Sequence, residues 1–320
     1  MEKFLITGFS GFVSRYFLDY LEKNDINAHV LGVDLLSPHF DIRDYRCIKC
    51  SFEKVDLLDK NQVDNIIYQF QPEYILHLAS YSSVAFSWKD PIASFRNNTS
   101  IFLNLLENVR ALNLQCRILS VGSSDEYGNV NEDDVPLRED HTLDPVSPYA
   151  VARTAQEMFS KVYVEGFGMD MVMTRSFNHI GPMQKDIFAV SSFAKQVVEL
   201  GKSGRNNGEV IVGNVGVVRD FLDVRDVVAA YYLLFKKGRK GQIYNVCSGR
   251  GVTLREIIEK MASIMGMDIK IKINESLIRP NDNRIIIGSN EKIGKDTGWK
   301  TTITLEDSLR DILDYWKTRV

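Results

Sequence analysis

The run at residues 7–14, T-G-F-S-G-F-V-S, constrains this chain more than any other. Before it, residues 3–7 are mostly apolar and read as a buried strand. After it, R-Y-F-L-D-Y-L-E-K repeats its apolar residues with helical periodicity. The next apolar run, A-H-V-L-G-V-D at residues 28–34, reads as a second buried strand and ends on Asp34. Strand, glycine turn, helix, strand, acid is the order of a dinucleotide-binding unit. Gly8 and Gly11 let the backbone approach a pyrophosphate, and Phe12 and Val13 open the helix whose N-terminus faces that charge. A carboxylate at Asp34 accepts hydrogen bonds from ribose hydroxyls and repels a 2′-phosphate, which favours NAD over NADP.

The alternation continues. A polar-ended run at residues 55–59 leads into a helix through residue 67, and a buried strand spans residues 72–79. Helices near residues 93–112 and 148–166 flank a strand at 116–121 and precede another at 169–175. Strands spaced by helices predict an α/β fold with a doubly wound parallel Rossmann sheet. Ligands on such sheets lie at the carboxyl ends of the strands, where Gly8, Asp34, Ala79, Ser123 and Asn178 all fall. Past Arg175 the pattern changes to shorter strands and helices, which predicts a smaller α/β substrate-binding domain. The expected division is residues 1–176 plus about 218–247 for the dinucleotide, and about 177–217 plus 248–320 for the substrate.

At 320 residues the chain is long enough for two packed units, and its net charge of −3 gives no basic face for nucleic acid. The apolar N-terminal run meets a glycine at once, too short for a secretion signal, and no later run is long enough to cross a membrane. These features predict a cytoplasmic protein with no nucleic-acid or membrane partner. Cys47 and Cys50 form a C-x-x-C, but no second pair of ligands stands at matching spacing and the context is strand-like. They read as half-buried strand thiols, and no metal site is expected.

The chemistry concentrates in residues 120–153. S-V-G-S-S-D-E-Y-G ends a buried strand in a polar loop, and S-P-Y-A-V-A-R opens a helix with Pro148 in its first turn. Tyr149 and Arg153 stand at i and i+4, on one helix face. A phenol near neutral pH needs help to act as a base, since its unperturbed pKa is about 10. A cation one turn on supplies that help.

Six motifs in order, T7-G-F-S-G-F-V-S14, H77-L-A-S80, S123-S-D-E-Y-G128, Y149-A-V-A-R153, R175-S-F-N-H-I-G-P182 and R219-D-F-L-D-V-R-D226, resemble the extended short-chain dehydrogenase/reductase family. This is the NAD-dependent epimerase/dehydratase group that modifies nucleotide-diphosphate sugars. F-N-H-I-G-P, F-A-K-Q, Y-N-V-C-S-G and I-R-P look most like the branch of GDP-mannose 4,6-dehydratases and GDP-4-keto-6-deoxymannose reductases. The resemblance implies NAD as cofactor and a nucleotide-diphosphate sugar as substrate. It implies that Tyr149 exchanges the proton of the sugar C4 hydroxyl, that Ser123 bonds the same oxygen, and that Arg153 supports Tyr149 and the nicotinamide ribose. Asp56 and Leu57 would flank the adenine, with Ala79 beside the cofactor. Ser82, Ser83, Asn98, Ser124, Glu126 and Asn178 would lie by the sugar, and Arg219 and Arg279 would grip the diphosphate, a bidentate task suited to guanidinium. In relatives the helices matching residues 93–112 and 148–166 build a dimer, so a homodimer or dimer of dimers is expected.

The chain departs from the pattern twice. Ser14 replaces the third glycine, and Arg153 replaces the usual lysine; arginine keeps the charge but closes any proton relay through that position. Asp125 occupies the place of the acid that takes the C5 proton in dehydratases, usually Glu, although the reductases of this branch keep an acid there too. Asp34 tilts the expectation to a redox-neutral 4,6-dehydratase, with the 4-keto-sugar reductase as the alternative. A 4-epimerase comes third, because epimerases carry a non-acidic residue at that place. The contrasting class is a non-catalytic dinucleotide-binding relative, since fold alone does not imply activity. Arg153 argues for that class; the joint presence of Ser123, Asp125 and Tyr149 argues against it.

Overall fold

Continuous apolar strands separated by amphipathic helices can bury both faces of a sheet only by winding helices over each side. The computed structural model, which describes residues 1–43, 45–203, 207–278 and 281–320, has that form. In chain order the first elements are β1 (Glu2–Thr7), α1 (Phe12–Lys23), β2 (Ala28–Asp34), β3 (Ile48–Lys54), α2 (Lys60–Phe70), β4 (Tyr74–His77), α3 (Val84–Lys89), α4 (Pro91–Ala111), β5 (Arg117–Ser123), α5 (Pro148–Phe167) and β6 (Asp170–Ser176). The chain continues through β7 (Asn178–Ile180), α6 (Ala189–Lys202), β8 (Asn207–Val212), β9 (Val218–Asp223), α7 (Val224–Lys237) and β10 (Ile243–Val246). It ends with β11 (Gly251–Thr253), α8 (Leu254–Met265), β12 (Asp268–Ile273), β13 (Ile285–Ile286), α9 (Glu291–Thr297) and α10 (Leu305–Lys317).

Seven strands form the main sheet in the order β10-β6-β5-β4-β1-β2-β3, and every pairing is parallel. The period-two geometry of β1 sends Phe4 and Ile6 to one core, with Phe17 and Leu21 of α1 and Tyr231 and Leu234 of α7. Leu5 goes to the opposite core, with Ile66 of α2, Leu105 of α4 and Tyr163 of α5. Each such fully buried side chain contributes roughly 1.5–3 kcal/mol. Strand order reverses between β1 and β4 while the strands stay parallel, and at that switch point Gly8 and Ala79 face each other.

Local chemistry sets the helix ends near the site. Asp90 accepts from Ala93 N at 2.9 Å and Ser147 Oγ accepts from Ala150 N at 3.1 Å, each followed by a proline that needs no donor partner. Gly168 closes α5 in the left-handed conformation.

The remaining strands build two smaller sheets. One is β11-β9-β13 with β7 also on β9, and the other is β12-β8. Beside them α6, α8 and α10 share a separate core around Phe193, Val197, Ile258, Met261, Leu309 and Ile312. The sequence reading groups residues 218–247 with the first unit; α7 and β10 pack there, but β9 does not join the main sheet. It pairs instead with β7, β11 and β13, and Asp220 adds side-chain bonds. Asp220 is wholly buried and accepts from Ser248 N, Ser248 Oγ, Gly249 N and Gly288 N, tying β9 to the C-terminal segments.

Candidate active site

The glycine turn is built for close approach. Gly8 has φ of +71°, and a Cβ there would stand 2.6 Å from Ala79 N and 2.8 Å from Leu78 C, both backbone atoms. Gly11 N donates to Gly8 O at 3.0 Å and caps α1 without a side-chain acceptor, and no acid stands in the first helical turn. The first N–H groups of α1 therefore offer a positive end to an anion. Ser14, the departure from a third glycine, is fully buried and its Oγ donates to Gly8 O at 3.3 Å, closing the turn from within. Phe12 is half-buried with its ring centroid 6.0 Å from that of His179, and Val13 is packed into the core.

Asp34 ends β2 beside this turn. Its Oδ2 accepts from Ser10 N at 2.9 Å and its Oδ1 from Leu35 N at 2.7 Å, which fixes the carboxylate at the strand tip. The next four residues, Leu35, Leu36, Ser37 and Pro38, carry no cation for a 2′-phosphate. Past β3, Asp56 Oδ1 accepts from Leu58 N at 2.9 Å, and Leu57 is buried with its carbonyl accepting from Asn104 Nδ2 at 2.9 Å. Ala79 N donates to Thr7 Oγ1 at 3.2 Å. A cradle closed to any Cβ, an open helix N-terminus and a strand-end carboxylate together fit a dinucleotide.

Tyr149 and Arg153 are both buried on the face of α5 that meets β5. Arg153 Nε donates to Tyr149 Oη at 3.3 Å, with the guanidinium 5.3 Å from the ring centroid. Its Nη1 donates to Val121 O at 3.2 Å and to Gln156 Oε1 at 2.6 Å, so the head is turned into the protein. Where β5 runs out, residues Ser124–Tyr127 form a 3₁₀ turn. Ser123 Oγ accepts from Asp125 N at 3.2 Å, and Asp125 is half-buried in that turn.

Glu126 corrects an expectation. Assigned to the sugar on resemblance, it is wholly buried beneath the strand end, where Oε1 accepts from Ser123 N at 2.6 Å. Burial, reinforced by the charge of Glu157, pushes its carboxyl up to about 8. Ser124 is buried as well. Below lies the ion pair Arg175–Glu157, bidentate at 2.8 and 2.9 Å with both side chains 3% exposed. Burial alone would raise the Glu157 carboxyl; the bonds from Arg175 and Lys161 outweigh it and hold it below its ordinary value.

The other expected substrate residues have varied surroundings. Asn98 is buried and pins the loop after β4, accepting from Tyr81 N at 2.7 Å and donating to Tyr81 O at 3.3 Å; it is a brace in this arrangement rather than an open ligand group. Ser83 caps α3 by accepting from Phe86 N at 3.2 Å, while Ser82 is exposed. Asn178 is exposed at the end of the main sheet, and its Nδ2 donates to Asp220 O at 3.4 Å. Arg219 Nη2 donates to Asp282 Oδ1 at 2.6 Å. Arg279 lies outside the described residues. Cys47 and Cys50 are free and half-buried. Among the described residues no group of His, Cys, Asp and Glu is placed to hold a metal, and no helix is long and apolar enough to cross a membrane.

Several residues of this region escape motif reading. His77 lies fully buried behind the switch point, its Nδ1 2.9 Å from Thr7 Oγ1, and burial followed by the charge of Arg153 pushes it down to about 3, so it is neutral. Gln156 holds Arg153 from the i+3 position of the same helix, a local contact, whereas Asp282 holds Arg219 across 63 residues, which no local pattern announces.

A doubly wound parallel sheet with this turn at its switch point, and a Tyr–Arg pair at the end of β5, defines a dinucleotide-dependent enzyme of the short-chain dehydrogenase/reductase type. The family model described as GDP-mannose 4,6 dehydratase matches residues 5–312, and the chain belongs to that family. The family is NAD(P)-dependent. The chain is 34% identical over 319 residues to the GDP-6-deoxy-D-mannose reductase of Pseudomonas aeruginosa, covering 100% of this chain and 98% of that one. It is 26% identical over 340 residues to the dTDP-glucose 4,6-dehydratase of Haemophilus influenzae, covering 99% and 98%. The solved structure of RMD from Pseudomonas aeruginosa complexed with NADPH superposes with a TM-score of 0.84 at 32% identity, covering 100% of both chains.

Proposed function

We propose that this chain is a 4-keto-sugar reductase acting on a GDP-linked 6-deoxy-4-ketohexose. The observation that carries the reading is the full-length identity of 34% to a GDP-6-deoxy-D-mannose reductase, against 26% to a dTDP-glucose 4,6-dehydratase. This reverses the order expected from the sequence, which placed the dehydratase first on the strength of Asp34.

Gly8, Gly11 and the N-terminus of α1 hold the pyrophosphate, with Phe12 and Val13 shaping the turn, and Asp34 takes the adenosine ribose hydroxyls. Asp56 and Leu57 flank the adenine, and Ala79 lines the cofactor at the switch point. Because Asp34 stands where a 2′-phosphate would lie, NADH is the preferred form. The bound dinucleotide supplies the hydride. Tyr149 gives a proton to the C4 oxygen as the carbonyl becomes a hydroxyl, and Ser123 Oγ donates to the same oxygen and orients it. Arg153, already bonded to Tyr149 Oη, offsets the charge left on that oxygen. Reduction moves no C5 proton, so Asp125 serves to bind and orient the sugar.

The segments 177–217 and 248–320, with β9, form the nucleotide-sugar domain in this reading. Arg219, oriented by Asp282, and Arg279 hold the diphosphate. Ser82, Ser83, Ser124 and Asn178 line the approach to the sugar, and Asn98 shapes it through the Tyr81 loop. The exposed apolar side chains Ile92 and Phe95 of α4 and Val151, Met158 and Val162 of α5 support a homodimer through these two helices.

The 4,6-dehydratase is the second reading, favoured by a half-buried acid at Asp125. The purified protein, given GDP-4-keto-6-deoxymannose and NADH, is expected to consume NADH, and Asp125→Asn is expected to keep most of that activity. Absence of NADH oxidation overturns the reductase reading. Water loss from GDP-mannose that vanishes in Asp125→Asn establishes the dehydratase.

A further inference from the structure

Arg153 takes the place that the Y-x-x-x-K motif gives to a compact lysine, and a larger planar head placed there must be held somewhere. The structure shows what holds it. Gln156, one helical turn further along α5, accepts from Arg153 Nη1 through Oε1 at 2.6 Å. Its Nε2 donates to Ser120 Oγ at 2.9 Å and to Val121 O at 3.2 Å, and Ser160 Oγ lies 3.1 Å from Ser120 Oγ. Gln156, Ser120 and Ser160 are each 2% exposed or less.

We infer that Gln156 is a positioning residue: it locks the Arg153 guanidinium so that Nε faces the Tyr149 oxygen. The amide of Gln156 has only one workable orientation, because the carbonyl of Val121 demands its nitrogen and the guanidinium demands its oxygen. The guanidinium is a rigid fork, so fixing Nη1 between Gln156 Oε1 and Val121 O fixes the direction of Nε as well. The remaining direction of the fork is the one that reaches Tyr149 Oη at 3.3 Å. Without Gln156 the Nη1 end of the head keeps, among the described residues, the Val121 carbonyl as its remaining acceptor, and the fork turns about it. Ser120, held by Ser160, fixes Gln156 in turn, so the chain of contacts runs from the middle of β5 to the reacting phenol. The inference rests on reading Tyr149 as the group that exchanges a proton with the sugar.

Two measurements test it. In steady-state reduction by the whole enzyme, Gln156→Leu is expected to lower kcat about tenfold, the scale of one lost charge-assisted hydrogen bond, with KM for the keto sugar unchanged. Made in an Arg153→Ala background, the same change is expected to lower kcat by less than about twofold, because a residue acting through Arg153 has nothing left to act on. Equal losses in the two backgrounds overturn the inference and leave Gln156 a packing residue. The second measurement needs no substrate. With nitrogen-15 at arginine Nε, the Arg153 resonance is assigned by its loss in Arg153→Ala, and its proton is expected to exchange with water about tenfold faster in Gln156→Leu. Unchanged exchange overturns the inference even where turnover falls. Ser120→Ala, which removes only the hydroxyl behind Gln156, moves both readouts the same way and serves where Gln156→Leu folds poorly. Failure of the keto-sugar assay in the wild-type enzyme counts against the reductase reading alone, because the exchange measurement still decides the role of Gln156.

Discussion

Replacing Glu126 with glutamine removes a titration from the floor of the site while preserving its shape. Glu126 is fully buried, its Oε1 accepts from Ser123 N at 2.6 Å, and its Oε2 has no hydrogen-bond partner among the described residues. Burial, then the charge of Glu157, push the carboxyl from 4.5 up to about 8, against the weaker opposing pull of the Ser123 amide, Arg175 and Arg153. The folded value lies above the unfolded one, so in that window the folded protein holds a proton that the unfolded chain has released. Stability is therefore fully present below the unfolded value and falls as pH rises through the folded one. The loss accumulates with pH across the window and is on the order of a few kcal/mol at most. Glutamine stays neutral and keeps the acceptor for Ser123 N. Urea unfolding of wild type and Glu126→Gln at about one-unit pH steps isolates the titration of the Glu126–Glu157 pair, because groups that do not interact with it cancel in the difference. The two proteins should be nearly equal near pH 5, and the variant should become progressively more stable toward pH 8. Parallel stability curves across the window would refute the reasoning and show that Glu126 is ionised in the folded state throughout.

Two further outcomes are expected. Tyr149→Phe should lower kcat by about 10²–10⁴ through loss of the proton donor while NADH affinity, read by fluorescence titration, stays within about twofold; wild-type turnover would remove Tyr149 from the chemistry. Asp34→Ala should narrow the preference for NADH over NADPH, measured as the ratio of kcat/KM values, because the carboxylate that opposes a 2′-phosphate is gone. An unchanged ratio would show that the discrimination resides elsewhere.

Much of the first unit was legible because its signals are local. A glycine turn between a buried strand and an amphipathic helix, and an acid at the end of the next strand, are properties of contiguous residues. The ends of α8 are local in the same way, since Thr253 and Glu256 form a capping box and Gly266 closes the helix in the left-handed conformation. α3 and α9 escaped because each is short, 6 and 7 residues, with too few turns for periodicity to show. The placement of β9 outside the main sheet has no local signature: it pairs with β7, β11 and β13, and the buried carboxylate of Asp220 bonds segments 28 and 68 residues away. In the site, Tyr149 and Arg153 were readable from their helical spacing, whereas the inward turn of Arg153 depends on Gln156 and on the carbonyl of Val121 across the interface with β5. Adjacent acids look alike in a sequence; the 3₁₀ turn at Ser124–Tyr127 leaves Asp125 half-buried and Glu126 wholly buried.

The product mass decides the central claim most directly. Purified protein is incubated with GDP-4-keto-6-deoxymannose and NADH, and separately with GDP-mannose and NAD, and the nucleotide sugars are weighed by mass spectrometry. The reductase account predicts a gain of two hydrogens on the keto sugar and unchanged GDP-mannose. Loss of one water from GDP-mannose, with the keto sugar untouched, would contradict it.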